Sequence, residues 1–564
     1  MKRYFLYVLA VTVIISQQLL SQSVYLHPSH EAYDFLKRME GKQILQRYRD
    51  VVLPLTREDI AKDLIKIEEH RDQLTQVERD ELDFLKEEFY VELKNLKYSK
   101  VLPDERWHLY RYRSDSTAAF NVDLIGGYSY EKLPFGETYH IRSNGVMVQG
   151  YAGSWMGAYV YFLDHQDGGS FIPYFEQKFG TSDYFKNTLS PQQGQLLTRI
   201  IAQNVEYDLV DVQANFDVSF LTLSLEKMPN VWGEGYDGNL ILSTKPPSYP
   251  QIKLRAKLGK DVDFTYLHAW LSSDIIDSVN SYYYPYGLSE PIYRTVYKQK
   301  YLASQMIEMS LWNGVDVAIG ESEVYGGRNP ELIYLIPFMF FKAAEHYNTD
   351  EDNSQMFGSI DLNVIKNYEF YSTLYVDEFS TEEFYRTDRQ RNQIGITVGT
   401  RAYDLIYPNS DIIVEYTRTN PWIYNHKYPD ATYQNHGYDL GDWIGQNADL
   451  FFVQGNYRPL RNLKLSVQFE SLRKGGKEAT HYQYELPTPE FLYGPEIKKQ
   501  SYGVAAQFEP LRDLFADFHL LISRYTQGPP ETASDGSSIF QYPRISADYA
   551  GKIDFFLALR YNFQ

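Results

Sequence analysis

The 564-residue chain contains no cysteine, which excludes a disulfide scaffold, a zinc finger, an iron–sulfur site and a thiol nucleophile. Basic residues are in deficit: 55 Lys+Arg stand against 74 Asp+Glu, for a net charge of −19. A basic face for duplex nucleic acid is therefore missing, and no nucleic-acid partner is expected. Mean hydropathy is negative, against a helical membrane protein built from runs of about 18 or more apolar residues. What the chain has instead is aromatic weight, 16% with 51 Tyr, too rich for a disordered polymer. A large soluble enzyme, a big β protein and an outer-membrane β-barrel remain. A prior of about 150 residues per domain predicts three or four domains, a rule that barrels often break.

Residues 1–23 set the compartment. Lys2 and Arg3 form a basic start, Tyr4 to Ile15 a short apolar stretch, and Ser21 and Ser23 occupy small-residue positions. This layout predicts a signal peptide cleaved after Ser23 and an exported chain. No Cys follows the apolar stretch, so a lipid anchor is not expected, and a Cys-free chain avoids mispairing in an oxidising compartment.

Residues 24–104 read as a small N-terminal α-helical module. Ala32, Leu36 and Met39 share one helical face behind a possible Ser29 cap. Thr56 precedes Ile60, Leu64 and Ile67, and Thr75 with Glu78 forms a capping box ahead of Leu82, Leu85 and Phe89. Three packed helices are expected, on the periplasmic side, able to plug a barrel or dock a periplasmic partner.

From residue 105 to 564 the period changes to 2. Ile553, Phe555, Leu557, Leu559, Tyr561 and Phe563 alternate with Lys552, Asp554, Phe556, Ala558, Arg560 and Asn562. Leu463, Leu465, Val467 and Phe469 alternate with Lys464, Ser466, Gln468 and Glu470, and Ile394, Ile396 and Val398 with Gln393, Thr397 and Arg401. Charges on the inner face of strand after strand are costly in a sandwich core. They suit a barrel whose apolar face meets lipid and whose polar face lines a lumen. The expectation is a mainly β fold, a large antiparallel transmembrane β-barrel of roughly 16 to 20 strands, even in number. Tyr159, Tyr161, Phe162, Phe370, Tyr371 and Tyr375 are expected in its interfacial aromatic girdles.

Chemical motifs are few. There is no Walker A loop and no HExxH; Gly233 to Gly235 lacks a strand–turn–helix setting; the histidines show no metal-ligand spacing. The acidic run Asp350, Glu351 and Asp352 reads as a solvated turn rather than a cation loop. No catalytic residue, metal site or cofactor is expected. Three loops combine Trp, Tyr, Gly, Asn and Arg, and supply the expected polysaccharide contacts: Trp232 and Tyr236; Tyr325, Arg328 and Asn329; Trp422, Tyr424 and Trp443. Flat rings beside amide and guanidinium donors suit sugar C–H faces and hydroxyls. The competing expectation is that these are turn glycines and girdle aromatics.

Several segments resemble, in order, the capsule assembly Wzi family of outer-membrane proteins. They are Tyr33 to Leu36 with Leu55 to Ala61; Trp232 to Gly235 with Asn239 to Ser243; Tyr325 to Gly327 with Ile336, Pro337, Asp352, Asn353, Ile360 and Asp361; Val376 to Phe379; and Leu440 to Gly445. The resemblance implies a barrel of about 18 strands, a periplasmic helical bundle, and non-enzymatic, lectin-like retention of capsular or exopolysaccharide at the cell surface. The chain departs from the pattern in ending on Gln564 and in its tyrosine load. An outer-membrane porin or transporter for small solutes is the alternative, and an outer-membrane enzyme a third.

Overall fold

The computed structural model describes residues 24–563 apart from 105, 115–117, 134–135, 154, 172–190, 195–198, 202–203, 219, 285–291, 349–350, 380–391, 477–489, 529–530, 533–537 and 540–548. The expected signal segment and Gln564 lie outside the described residues.

Four helices form the N-terminal module: α1 (Glu31–Gly41), α2 (Arg57–Glu68), α3 (Gln76–Glu88) and the short α4 (Tyr90–Asn95), one more than expected. Thr56 caps α2 by accepting from the Asp59 N–H. Thr75 and Glu78 close the capping box on α3. Ser29 does not cap α1: its hydroxyl is held by His27 Nδ1 at 2.7 Å, and the His30 ring accepts from the Ala32 N–H instead. Ala32, Leu36, Met39, Ile60, Leu64, Leu82, Leu85 and Phe89 are all fully buried in one core, so the apolar stripes that define the helices also join them.

Eighteen antiparallel strands close into a barrel. In chain order they are β1 (Ala118–Lys132), β2 (Thr138–Ala152), β3 (Met156–Gly168), β4 (Asn204–Val218), β5 (Leu221–Met228) and β6 (Tyr249–Lys257). Then follow β7 (Val262–Ile276), β8 (Tyr297–Trp312), β9 (Val315–Gly326), β10 (Asn353–Ile365), β11 (Tyr368–Glu378) and β12 (Gln393–Tyr403). The last six are β13 (Ser410–Thr419), β14 (Ala448–Leu460), β15 (Leu463–Lys474), β16 (Ile497–Leu511), β17 (Leu514–Gln527) and β18 (Tyr549–Tyr561). β18 pairs with β1, Leu557 opposite Tyr130, so the sheet has no free edge.

Tight turns such as 313–314 and 366–367 mark the periplasmic end; long connections such as 229–248 and 420–447 mark the outer end. Alternation sorts the side chains. Ile553, Leu557 and Leu559 are exposed on the outer wall, while Arg560 meets Asp517 across the inner face at 2.7 Å. Two expectations need correction. Asn562 takes φ +53, and that twist turns Phe563 off the lipid face into the lumen, against Gly127 and edge-on to His165. Of the six girdle aromatics, Phe162 and Phe370 face outward. Tyr159, Tyr161, Tyr371 and Tyr375 are buried inside, because they fall on the inward parity and the lumen there is packed.

The module packs against the end of the barrel that carries the tight turns. Arg512 reaches Glu87 at 2.5 Å, Gln43 donates to the Asn363 carbonyl at 2.9 Å and Arg458 approaches Glu81 at 3.4 Å. A Cβ on Gly41 would stand 2.1 Å from the Tyr403 ring, so only glycine lets α1 approach the wall this closely.

Candidate functional site

Between α1 and α2 the chain climbs into the lumen, and there it meets a loop descending from the outer end. Val52 and Leu53 pair antiparallel with Trp232 and Val231 of the β5–β6 connection. Beyond the pairing, Gly233 takes φ +103, the Glu234 N–H donates to Thr373 Oγ1 at 2.7 Å, and the Tyr236 and Asp237 N–H groups donate to the Glu415 carboxylate. Leu240, Ile241 and Leu242 return fully buried.

The β13–β14 connection lies over this loop. Tyr424 and Tyr433 donate their hydroxyls to the Leu240 and Ile241 carbonyls at 2.7 and 2.9 Å, and Trp443 Nε1 donates to the Asp237 carbonyl at 2.6 Å. A Cβ on Gly441 would fall 2.4 Å from the Tyr424 hydroxyl, so the two loops can interlock only around glycine. Together with inward residues of β6 to β11 they make an apolar core inside the barrel.

Five of the eight sequence-predicted contacts meet in this assembly, mostly with their rings inside it. Trp232 and Tyr424 are fully buried, Trp422 and Trp443 nearly so, and Trp422 stacks on Tyr493 at 5.4 Å. Tyr236 is half-buried, its hydroxyl accepting from Gln454 at 2.7 Å beneath the Arg401 guanidinium. The other three are elsewhere. Tyr325 is buried on the outer wall of the barrel with Arg328 over its ring, and Asn329 is exposed at the rim.

Asp442 sits at the interlock, 1% exposed, with its Oδ1 accepting from the Ile444 N–H at 3.0 Å. Burial pushes its carboxyl up to about 7; Glu415 and Asp439 add to the rise and Lys474 opposes it. A carboxyl raised in the folded state favours the docked loop below its ordinary value of about 3.9 and withdraws that stability as pH rises toward 7. Hydrogen exchange in 420–447, corrected for intrinsic rates, should be faster at pH 8 than at pH 5, and Asp442→Asn should flatten the difference. Equal protection at both pH values would dissociate Asp442 from loop docking.

On the opposite side of the lumen, under β1 to β4 and β18, the described residues leave space unfilled. The space is a cavity of about 360 Å³ lined by inward residues that include Ser129, Tyr161, His165, Tyr207 and Arg560, and also by Lys227 near the outer end of β5, which is of outward parity. His165 stacks on Tyr207 with centroids 4.7 Å apart and meets the Ser143 hydroxyl at 2.7 Å. Lys227 donates to Ser248 at 2.7 Å. From the module comes His27, whose burial pushes its imidazole down to about 4 and keeps it neutral. A second cavity of about 360 Å³ lies toward the module and shares Arg560 and Phe563 with the first. Rings, amides, hydroxyls and cations facing one space are the donor set that polyols require. Sequence reasoning missed these residues because it searched the loops; strand parity was the available signal for Ser129, Tyr161, His165, Tyr207 and Arg560, and none pointed to Lys227.

Where module, loop and wall meet, Lys37 Nζ lies 2.7 Å from Asp361, 3.0 Å from Asp50, 3.3 Å from Glu234 and 3.5 Å from Glu369. Burial alone would lower the ammonium, but the surrounding carboxylates outweigh it and hold Lys37 well above its ordinary value. Oxygens of Glu40, Asp50 and Asp361 lie within 4.8 Å of one another, close enough to share a cation, and the cation beside them is this ammonium.

Among solved structures, the chain is similar to Wzi of Escherichia coli, described as an outer-membrane protein involved in group 1 capsule assembly and a carbohydrate-binding β-barrel. Identity is 12% over 96% of this chain and 100% of that one, with a TM-score of 0.54. OccAB2 of Acinetobacter baumannii (9% identity, 79% of this chain and 97% of that one, TM-score 0.40) and OpdK of Pseudomonas aeruginosa (9%, 78% and 98%, 0.41) are more distant. No curated protein matches the chain. The model of one family, capsule assembly protein Wzi, matches residues 143–526, about two thirds of the sequence, and with the 18-stranded barrel it makes this chain an outer-membrane member of the capsule assembly protein Wzi family.

Proposed function

We propose that this protein binds a capsular or secreted polysaccharide and holds it at the outer surface of the cell, without catalysis and without a cofactor. Family membership over residues 143–526 carries the reading, and the carbohydrate binding described for the Escherichia coli protein supports it. Residues 1–23 serve as its export signal, and residues 24–104 form the periplasmic plug, which is also open to a periplasmic partner.

The architecture favours this reading over a diffusion porin, since the lumen beneath β6 to β11 is packed with apolar side chains. It also favours binding over hydrolysis. His165 meets Ser143, but among the described residues no carboxylate hydrogen-bonds that ring to orient it as a base. Trp232, Trp422, Tyr424 and Trp443 act as the frame of the inward loops. The sugar contacts are then Tyr207, Lys227 and Arg560 at the cavity under β1 to β4 and β18, with Arg328 and Asn329 available at the rim.

Cell-bound polysaccharide, compared between cells with and without the gene, tests the function. Retention should fall several-fold on deletion, and wild-type protein in planar bilayers should show no stable large conductance. Unchanged retention with a large steady conductance would replace binding by solute passage. Tyr207→Ala and Lys227→Ala should each lower retention while the barrel keeps its heat-modifiable mobility in gels. Should deletion lower retention and neither variant do so, the contacts belong to the outer loops.

A further inference from the structure

The β9–β10 connection does not fold inward as the β5–β6 and β13–β14 connections do. On β7, β8 and β9 the lumen-facing residues include Leu267, Leu302, Met306, Ala318 and Val324. Residues of opposite parity, Phe264, Tyr266, Tyr301, Ala303 and Tyr325, form a separate core with Tyr334, Phe341 and Ala344 of this loop. The loop and its short helix α5 (Phe341–Tyr347) therefore lie over the outside of the barrel.

Beside that core the loop covers a polar patch at membrane height. Tyr266, Gln305, Glu321 and Met356 occupy one hydrogen-bonded row across four strands. Gln305 accepts from the Phe338 N–H at 2.9 Å and donates to the Met339 carbonyl at 2.6 Å and to Glu321 at 2.7 Å. Tyr266 donates to the Tyr334 carbonyl at 2.8 Å, and Ser354 donates to Glu345 of α5 at 2.7 Å. Glu321 stands six residues above Val315, where β9 begins. That is about 20 Å of strand at roughly 3.3 Å per residue, or about 15 Å of height in a tilted barrel whose apolar band is about 25 Å tall.

Ahead of α5 the loop's outer side is apolar, while α5 itself exposes His346 and part of Lys342. Phe338 is 61% exposed, Phe340 54% and Ile336 48%. Phe338 also stacks on Phe264 at 3.9 Å, in the row that continues through Ile307 to Ile319. Ile319 is 63% exposed on the bare wall, and Met356, beside Glu321, is 51% exposed. The exposed rings of the loop are thus continuous with the barrel's lipid-facing surface. We infer that residues 331–347 form a membrane-embedded cover, an outer loop that shields the polar outward patch of Gln305 and Glu321 and turns Ile336, Phe338 and Phe340 toward lipid acyl chains.

The absence of native cysteine makes the test direct. Phe340→Cys and Ile336→Cys, each carrying a nitroxide in phosphatidylcholine proteoliposomes, are compared with Ile319→Cys on the bare wall and Val279→Cys in an exposed outer loop. Both cover sites should relax with oxygen over a water-soluble nickel chelate by a ratio within about twofold of the Ile319 site. A ratio like that of the Val279 site at both cover positions would overturn the inference. So would protection from both relaxants with spin–spin broadening, since that places a second copy on this face. The experiment reads lipid contact alone, so its outcome is separate from that of polysaccharide retention.

Discussion

Lys37→Met is expected to release the helical module from the barrel. The ammonium touches Asp50 of the module, Glu234 of the descending loop, and Asp361 and Glu369 of β10 and β11, so one side chain latches three parts of the chain. Glu40, 1% exposed, adds a further buried carboxylate beside them. Removing the cation leaves uncompensated buried charge, at a cost of about 3–5 kcal/mol, more than a hundredfold in the docking equilibrium. Proteolysis within residues 57–95 should accelerate accordingly. Planar bilayers should show new, flickering conductance where the wild type is quiet. Adding Asp361→Asn to Lys37→Met should recover part of the loss, because the two sites are coupled. A Lys37→Met protein as protease-resistant and quiet as wild type would move the latch elsewhere, to contacts such as Arg512 with Glu87.

Local rules made some of this architecture legible and stopped where long-range packing took over. The Thr75–Glu78 box and the Thr56 cap rest on contacts three residues apart, which spacing reports. The parity of Ile553, Leu557 and Leu559 against Arg560 likewise follows from the strand period. Parity does not say whether a lumen is wet or packed, so Tyr371 and Tyr375 read as girdle residues. Composition does not say which way a loop folds. The segments around Trp232 and Tyr325 share Gly, Tyr and Asn or Arg, yet one enters the barrel to pair with Val52 and the other lies on its outer wall. Ser29 lost its cap to a competing bond with His27, and Phe563 lost its parity to one positive φ at Asn562.

Trp232→Ala separates a frame residue from a sugar contact. The indole is fully buried, its backbone pairs with Val52 and bridges to Leu242, and its neighbours include Leu240, Ile241 and Leu242. Truncation leaves a cavity where the plug segment and the outer loop meet, and such substitutions cost about 3–5 kcal/mol. Hydrogen-exchange protection in 229–248 and 420–447 should fall by more than a hundredfold, because Tyr424, Tyr433 and Trp443 all donate to that loop's carbonyls. The closed strand ladder does not depend on the indole, so the barrel itself should assemble normally. Polysaccharide retention should drop with the loops' protection, and Trp232→Phe, which refills most of the space, should restore both. A residue that touched glycan directly would behave differently: Trp232→Ala would lower retention with exchange unchanged. The sign of that one comparison decides whether the inward loops are the scaffold of the binding surface or the surface itself.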